Sequence, residues 1–310
     1  MQTSVERVTD LPGAASVTLQ PLLEGPPRTA RVLGTGPAAL FLITDPAPRA
    51  SPTVLALCTY DAVRLPLAMV VGAGAVDSPW AGQVCAGDAV RVGAGCVRLR
   101  GMSIHVARWW APARPHPVDH EWLALATPML LRLLSERAVA LPGAASTNLR
   151  CLRRSLATGD QGGARRAVDA MLGLGPGLTP AGDDAIAGLL LAVHHLGGPG
   201  LPGPALFATE QLGAYVVMTA PGRTTAVSAA LLGLATQGHA APQVIAVLDA
   251  LATGCGLPGA LSGLLRLGHT SGGDLALGVA AGAQLVVRQV TLGQGQHPGQ
   301  RVTGRPVTGQ

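Results

Sequence analysis

The run P-A-R-P-H-P at 112–117 divides the chain into two textures, and that division limits the possible folds more than any other feature. Before it, short β-rich runs recur at close spacing between Gly and Pro: 16–20, 29–33, 38–44, 53–59, 67–71, 88–92, 96–100 and 103–108. Strands this short and this regular point to an antiparallel sheet closing towards a small barrel. The alternation in V-R-V-G-A-G-C-V-R-L-R marks a half-exposed hairpin. After the proline run, helical segments are expected at 121–137, 146–158, 163–172, 182–196, 204–218, 224–236, 242–252, 258–267 and 273–290, rich in the Ala and Gly that allow close helix contacts. The expected fold is therefore α+β. An N-terminal antiparallel β-rich, barrel-like domain spans 1–111, a linker 112–117, and a C-terminal α-helical bundle domain 118–290. Residues 291–310, rich in Gly, Gln, Thr and Pro, read as a disordered tail.

Composition removes several classes of function. With 48% hydrophobic and 13% charged residues the chain is expected to fold compactly. No stretch of 18 uninterrupted apolar residues is present, so no membrane span is expected. The N-terminal ten residues lack a charged leader and an apolar core, which makes a cytoplasmic protein the expectation. All 22 basic residues are arginine. A Schiff-base lysine, a pyridoxal phosphate anchor and a Walker-type phosphate lysine are thereby excluded, and no nicotinamide cofactor is expected either. The net charge of +5 is spread without a basic stripe, which argues against nucleic-acid binding. Five widely spaced cysteines without a C-x-x-C read as reduced core thiols.

Three segments concentrate the polar chemistry. The first, G-L-G-P-G-L-T-P-A-G-D-D at 173–184, carries Gly173, Gly175 and Gly177, which allow positive φ and close backbone approach. Thr179 is a natural N-cap and Pro180 fits the first helical position, which puts Asp183 and Asp184 in the first turn. Acids there favour the helix dipole without any function. Two adjacent acids behind three glycines exceed what capping needs, and a cation or a polar substrate is the functional alternative. The second segment, G-H-T-S-G-G-D at 268–274, repeats the device. Ser271 and Asp274 approximate a capping box, while His269 has no such explanation and stands equally as surface residue or catalyst. In the third, A-P-G-R-T-T-A-V-S at 220–228, Arg223 precedes Thr224, Thr225 and Ser228. This is either an anion seat at a helix start or a solvated arginine before an ordinary cap. His194 and His195 lie about three turns beyond the acid pair, too far for joint ligation.

These three motifs resemble those of the AllH-like family, named for a subunit of an oxamate carbamoyltransferase in anaerobic allantoin breakdown. G-L-G-P-G-L-T-P-x-G-D-D, T-T-x-x-S and G-H-T-S-G-x-D stand in that order over about residues 170–290, whereas the β-rich half is similar only in texture. The resemblance implies transfer of a carbamoyl group between carbamoyl phosphate and oxamate, a small anionic substrate, alongside partner protein subunits. Such a transfer needs a phosphate leaving group to be held and a carbonyl polarised. The expected substrate-binding set is Gly175, Gly177, Thr179, Arg223, Thr224, Thr225, Ser228 and Ser271. The expected catalytic set is Asp183, Asp184, His269 and Asp274. Because three aspartates would repel a phosphate, a hard cation such as Mg2+ on Asp183, Asp184 and Asp274 is expected. Two alternatives stay open: a metal-dependent hydrolase of an amide or glycosidic bond, and a non-catalytic assembly or effector-binding subunit.

Overall fold

The computed structural model of the protein describes residues 9–44, 54–197 and 204–295. Eight strands form the first half: β1 (Thr9–Ser16), β2 (Arg28–Thr35), β3 (Ala39–Thr44), β4 (Val54–Cys58), β5 (Ala68–Val71), β6 (Ala89–Gly93), β7 (Cys96–Leu99) and β8 (Met102–Trp110). They close into a barrel in the order β1-β5-β4-β3-β2-β6-β7-β8. Closure leaves no free sheet edge, the usual solution for so many short strands. The fold is α+β as the sequence suggests, but the barrel is not purely antiparallel. β1 runs parallel to β8, and β4 parallel to β5. The parallel closing pair follows from β1, which brings the start of the chain alongside the last strand, with a register shift between Gly13 and Ala14.

The first strand is also the one that sequence reasoning misplaces. Residues 16–20 are not a strand: β1 ends at Ser16, a 3-10 turn covers Val17–Leu19, and α1 (Gln20–Leu23) follows. Ser16 accepts from the Thr18 amide, and Pro21 lies in the first turn of α1, so local capping overrides strand propensity. In the β6–β7 hairpin, Ala94 and Gly95 both take positive φ, as a two-residue primed turn requires.

Residues 111–119 carry no helix or strand. The second half comprises α2 (His120–Glu136), α3 (Gly143–Thr158), α4 (Gln161–Asp169), α5 (Ala181–Gly197), α6 (Pro204–Thr219), α7 (Ala226–Thr236), α8 (Pro242–Thr253), α9 (Leu257–Leu265) and α10 (Ser271–Gly295). α10 continues past Thr291, whose hydroxyl donates to the Val287 carbonyl at 3.0 Å, so 291–295 are helical where a disordered tail is expected; the rest of that segment lies outside the described residues. By length and composition Ser271–Leu292 is apolar enough to cross a membrane. Here half of that window is buried inside the protein.

α5 is buried at every position from Ala181 to Val193, the pattern of a helix enclosed on all sides. Its principal neighbour is α10, and the two meet through glycine. A Cβ on Gly278 would collide with the Ala185 carbonyl, one on Gly188 with the Leu275 carbonyl, and one on Gly282 with Ala192. The pairing of 185 with 278 and of 192 with 282 makes the helices parallel, with their N-termini side by side. The barrel core continues into the bundle through Val227 and Leu234 of α7. Of the five free cysteines only Cys58 and Cys96 are core thiols; Cys85, Cys151 and Cys255 are exposed. Burial pushes the Cys58 thiol up to about 12.

Candidate functional site

The two glycine-rich turns meet because α5 and α10 start together. Gly173 and Gly175 carry φ of 73° and 126°, and a side chain on either would run into the Arg223 carbonyl or the Ala181 amide. The turn can therefore fold back on α5 only with glycine at these points. Gly177, at φ 93°, has open space where a Cβ would be. α5 begins at Ala181, between the Pro180 that capping suggests and the 182 that apolar periodicity gives, with Asp183 and Asp184 in its first turn. Thr179 does not serve as a simple cap. Its hydroxyl lies 2.9 Å from that of Ser271, joining the two turns directly. The expected capping box at Ser271 and Asp274 is likewise not what holds α10, whose Gly273 and Asp274 amides donate to the Thr270 carbonyl.

The adjacent acids have opposite roles. Asp183 is 1% exposed and fully engaged: Oδ1 accepts from the Gly173 amide at 2.9 Å, and Oδ2 from the hydroxyls of Ser228, at 2.7 Å, and Thr224. It ties the first turn to the start of α7, and each of its oxygens already accepts from a protein donor. Asp184 is 7% exposed, and its Oδ2 has no hydrogen-bond partner. Burial pushes its carboxyl up to about 7, the charges of Asp274 and Asp183 add to the rise, and the hydroxyls of Ser271 and Thr179 oppose it. Asp274 is also buried with an unpartnered Oδ2, and burial raises its pKa against a hydrogen bond from Thr270. Both carboxyls sit at helix starts, where the partial positive charge of the two dipoles favours them.

The T-T-x-x-S segment braces this arrangement. Thr225 caps α7, accepting from the Ser228 amide at 3.0 Å, and its hydroxyl donates to the Leu178 carbonyl. Arg223 turns to Asp169, donating to its carbonyl at 2.9 Å and lying 3.8 Å from its carboxylate, which also accepts from the Tyr215 hydroxyl at 2.8 Å. The fork expected to hold an anion thus turns towards Asp169, with one nitrogen bonded to the main chain and a half-exposed carboxylate nearby. His269 is exposed in the turn before α10 and does not line the pocket below. Among the described residues no group of three or more His, Cys, Asp or Glu is disposed to hold a metal ion. The physical reason is visible at Asp183, whose oxygens are engaged by protein donors.

Asp184, Thr179 and Ser271 open onto a pocket of about 260 Å3 between the barrel and α5, α7, α8 and α10. Its barrel side is Phe41, Val63, Leu65 and Pro66. Of its lining side chains only Thr179, Asp184, Ser271 and His239 carry polar atoms, and none is arginine. Burial keeps the pKa of His239 below its ordinary value, and Arg114 and His194 act in the same direction. The barrel wall and His239 are the part of the site that sequence reasoning missed. No local signal marks them, because their role arises from docking the barrel on α7. His195, set aside above as a ligand, is structural: its Nε2 lies 2.8 Å from the Gly238 carbonyl.

A closed mixed barrel docked on a helical bundle, with three buried carboxyls at twin helix starts and two of them unpartnered at one oxygen, defines an α+β protein with one composite acid site. Residues 171–283, a little over a third of the chain, match the family model described as oxamate carbamoyltransferase subunit AllH. The match takes in all three motifs, and this part of the chain is AllH-like, as they imply. The family's name suggests a carbamoyltransferase subunit. No solved structure matches the chain.

Proposed function

We propose that this chain is a subunit of a carbamoyltransferase that acts on oxamate and carbamoyl phosphate together with partner protein subunits. One observation carries the reading: inside the family match the first and second motif segments meet at a buried carboxyl, Asp184, with a free oxygen, while the third braces its neighbour Asp183. In such a transfer the acceptor nitrogen attacks the carbamoyl carbon, a C–N bond forms, and the C–O bond to phosphate breaks with its electron pair leaving on phosphate. The nitrogen must shed a proton. A carboxyl with its pKa near 7 is poised to take it at neutral pH, and Asp184 is assigned that role of general base. Thr179 and Ser271 orient it, and Asp274 raises its basicity. Asp183, Thr224, Thr225 and Ser228 act by holding the turn in place.

Restraint of the phosphate falls to other groups. Arg223 is paired with Asp169, and the pocket lining holds no arginine, so a partner subunit supplies the positive charge in this reading. The residues do not fit a three-aspartate cation centre, since a hard cation such as Mg2+ would find only Asp184 and Asp274 with free oxygens. The test is oxalurate formation from oxamate and carbamoyl phosphate by the chain with its partner subunits. Turnover that appears only in the mixture and collapses in Asp184→Asn is the expected result. Turnover unchanged by that substitution removes Asp184 from the chemistry. A non-catalytic, effector-binding subunit is the second reading, favoured by the apolar character of the pocket.

A further inference from the structure

Without the positive charge that a partner subunit would bring, the pocket between barrel and bundle is a poor home for either small anion of the proposed reaction. Its walls are hydrocarbon, no arginine lines it, and its one ionisable acid would repel a carboxylate or phosphate. At about 260 Å3 it exceeds the roughly 150 Å3 cavity that suffices for benzene, which makes room for about ten non-hydrogen atoms. Its polar end is narrowly defined: Asp184, more than nine-tenths buried, brings an unpartnered carboxyl oxygen, and the hydroxyls of Thr179 and Ser271 stand beside it. A buried polar atom without a partner in a pocket wall is a request for a complementary group.

We infer that this pocket binds a small molecule with an apolar body and a neutral primary amide or ureido head, the head pairing with Asp184 and the body lying against Phe41, Leu65, Leu191, Leu231 and Val244. An amide suits the site because it offers both an N–H and a carbonyl. It complements the carboxyl when ionised, by donating N–H, and when protonated, by also accepting the acid O–H. A carboxylate head of the same shape has no donor to offer and brings a second negative charge. The inference goes beyond the carbamoyl-transfer reading and does not depend on it.

The test uses an isosteric pair, phenylacetamide and phenylacetate, titrated calorimetrically into the full chain at about pH 8, where Asp184 is ionised. The amide is expected to bind, and the acid to bind at least about tenfold more weakly. Leu231→Trp, at a half-buried wall position, is expected to abolish binding of both while circular dichroism shows an unchanged fold. Asp184→Leu is expected to erase the preference for the amide. No binding of either probe at millimolar concentration, equal binding of both, or binding that survives Leu231→Trp overturns the inference. Because the probes do not react and no partner subunit is present, such a failure leaves the transfer reading standing. A failure of the transfer assay likewise leaves the pocket result untouched.

Discussion

Along the α5–α10 seam backbone lies against backbone at Gly188, Gly278 and Gly282, whereas the barrel meets the bundle side chain to side chain and leaves a pocket of about 260 Å3. The seam has no room for a ligand, but it fixes the distance between Asp184 and Asp274 with little freedom. The junction with the barrel makes no such demand and provides the space. Rigidity and room come from different contacts, and the candidate site lies where the two regions join. A carboxyl can be held without a full set of partners only if the surrounding packing does not let it swing out to water.

The sharpest way to break this contrast is to remove the charge that the seam holds in place. Asp184 has a folded-state pKa of about 7 against 3.8 for the free group. In the folded state its proton is therefore bound more tightly than in the unfolded chain. This stabilising contribution is complete below about 3.8 and is lost as pH rises through about 7. Asp184→Asn should then be more stable than the parent above neutral pH, by up to roughly 4 kcal/mol, with the gain fading towards acid. Urea unfolding midpoints measured across that range decide it, and a gain independent of pH contradicts the buried-acid account.

A slightly smaller effect is expected at the seam itself. Gly278→Ala forces a methyl group onto the Ala185 carbonyl, and a loss of roughly 3 kcal/mol is expected from overpacking where neither backbone can yield. Thermal unfolding reads it, and a neutral outcome would mean that the helices can part without cost. Asp183→Asn sharpens the difference between the neighbouring acids. The amide presents a donor to the Gly173 amide or to the hydroxyls of Thr224 and Ser228, and a loss of roughly 2 kcal/mol is expected at neutral pH. A gain in stability, as at Asp184, would show that the two acids are not different in kind. Least of all should Arg223→Ala matter, since its half-exposed pair with Asp169 is screened by solvent and contributes less than about 1 kcal/mol. The same variant should leave KM for carbamoyl phosphate unchanged, and a tenfold rise would return Arg223 to the anion seat.

Much of the helical half is legible in the sequence, with the starts of α5 and α10 read to within two residues, because apolar periodicity and glycine turns are local signals. The roles of the polar residues were legible only as a set. Thr179, Ser271, Asp184 and Asp274 do converge, but nothing in D-D distinguishes the acid that is fully engaged from the one that is free. That difference comes from Thr224 and Ser228, some forty positions on, reaching Asp183 and not its neighbour. The β1 strand was hidden for a similar reason. Pro12 and Gly13 weaken its local signal, and its pairing with β8 spans most of the barrel's length in sequence.

By itself the sequence determined all the elements but β1 and α1, their α+β order and the presence of acids at two glycine-led helix starts, since these follow from short-range sterics and periodicity. Only the tertiary structure decided which acid stays unpartnered, where Arg223 points and that a hydrocarbon pocket opens beside Asp184. Those outcomes depend on contacts between residues far apart in the chain, and burial, which raises the pKa of Asp184 and Asp274, is a property of the packed molecule alone.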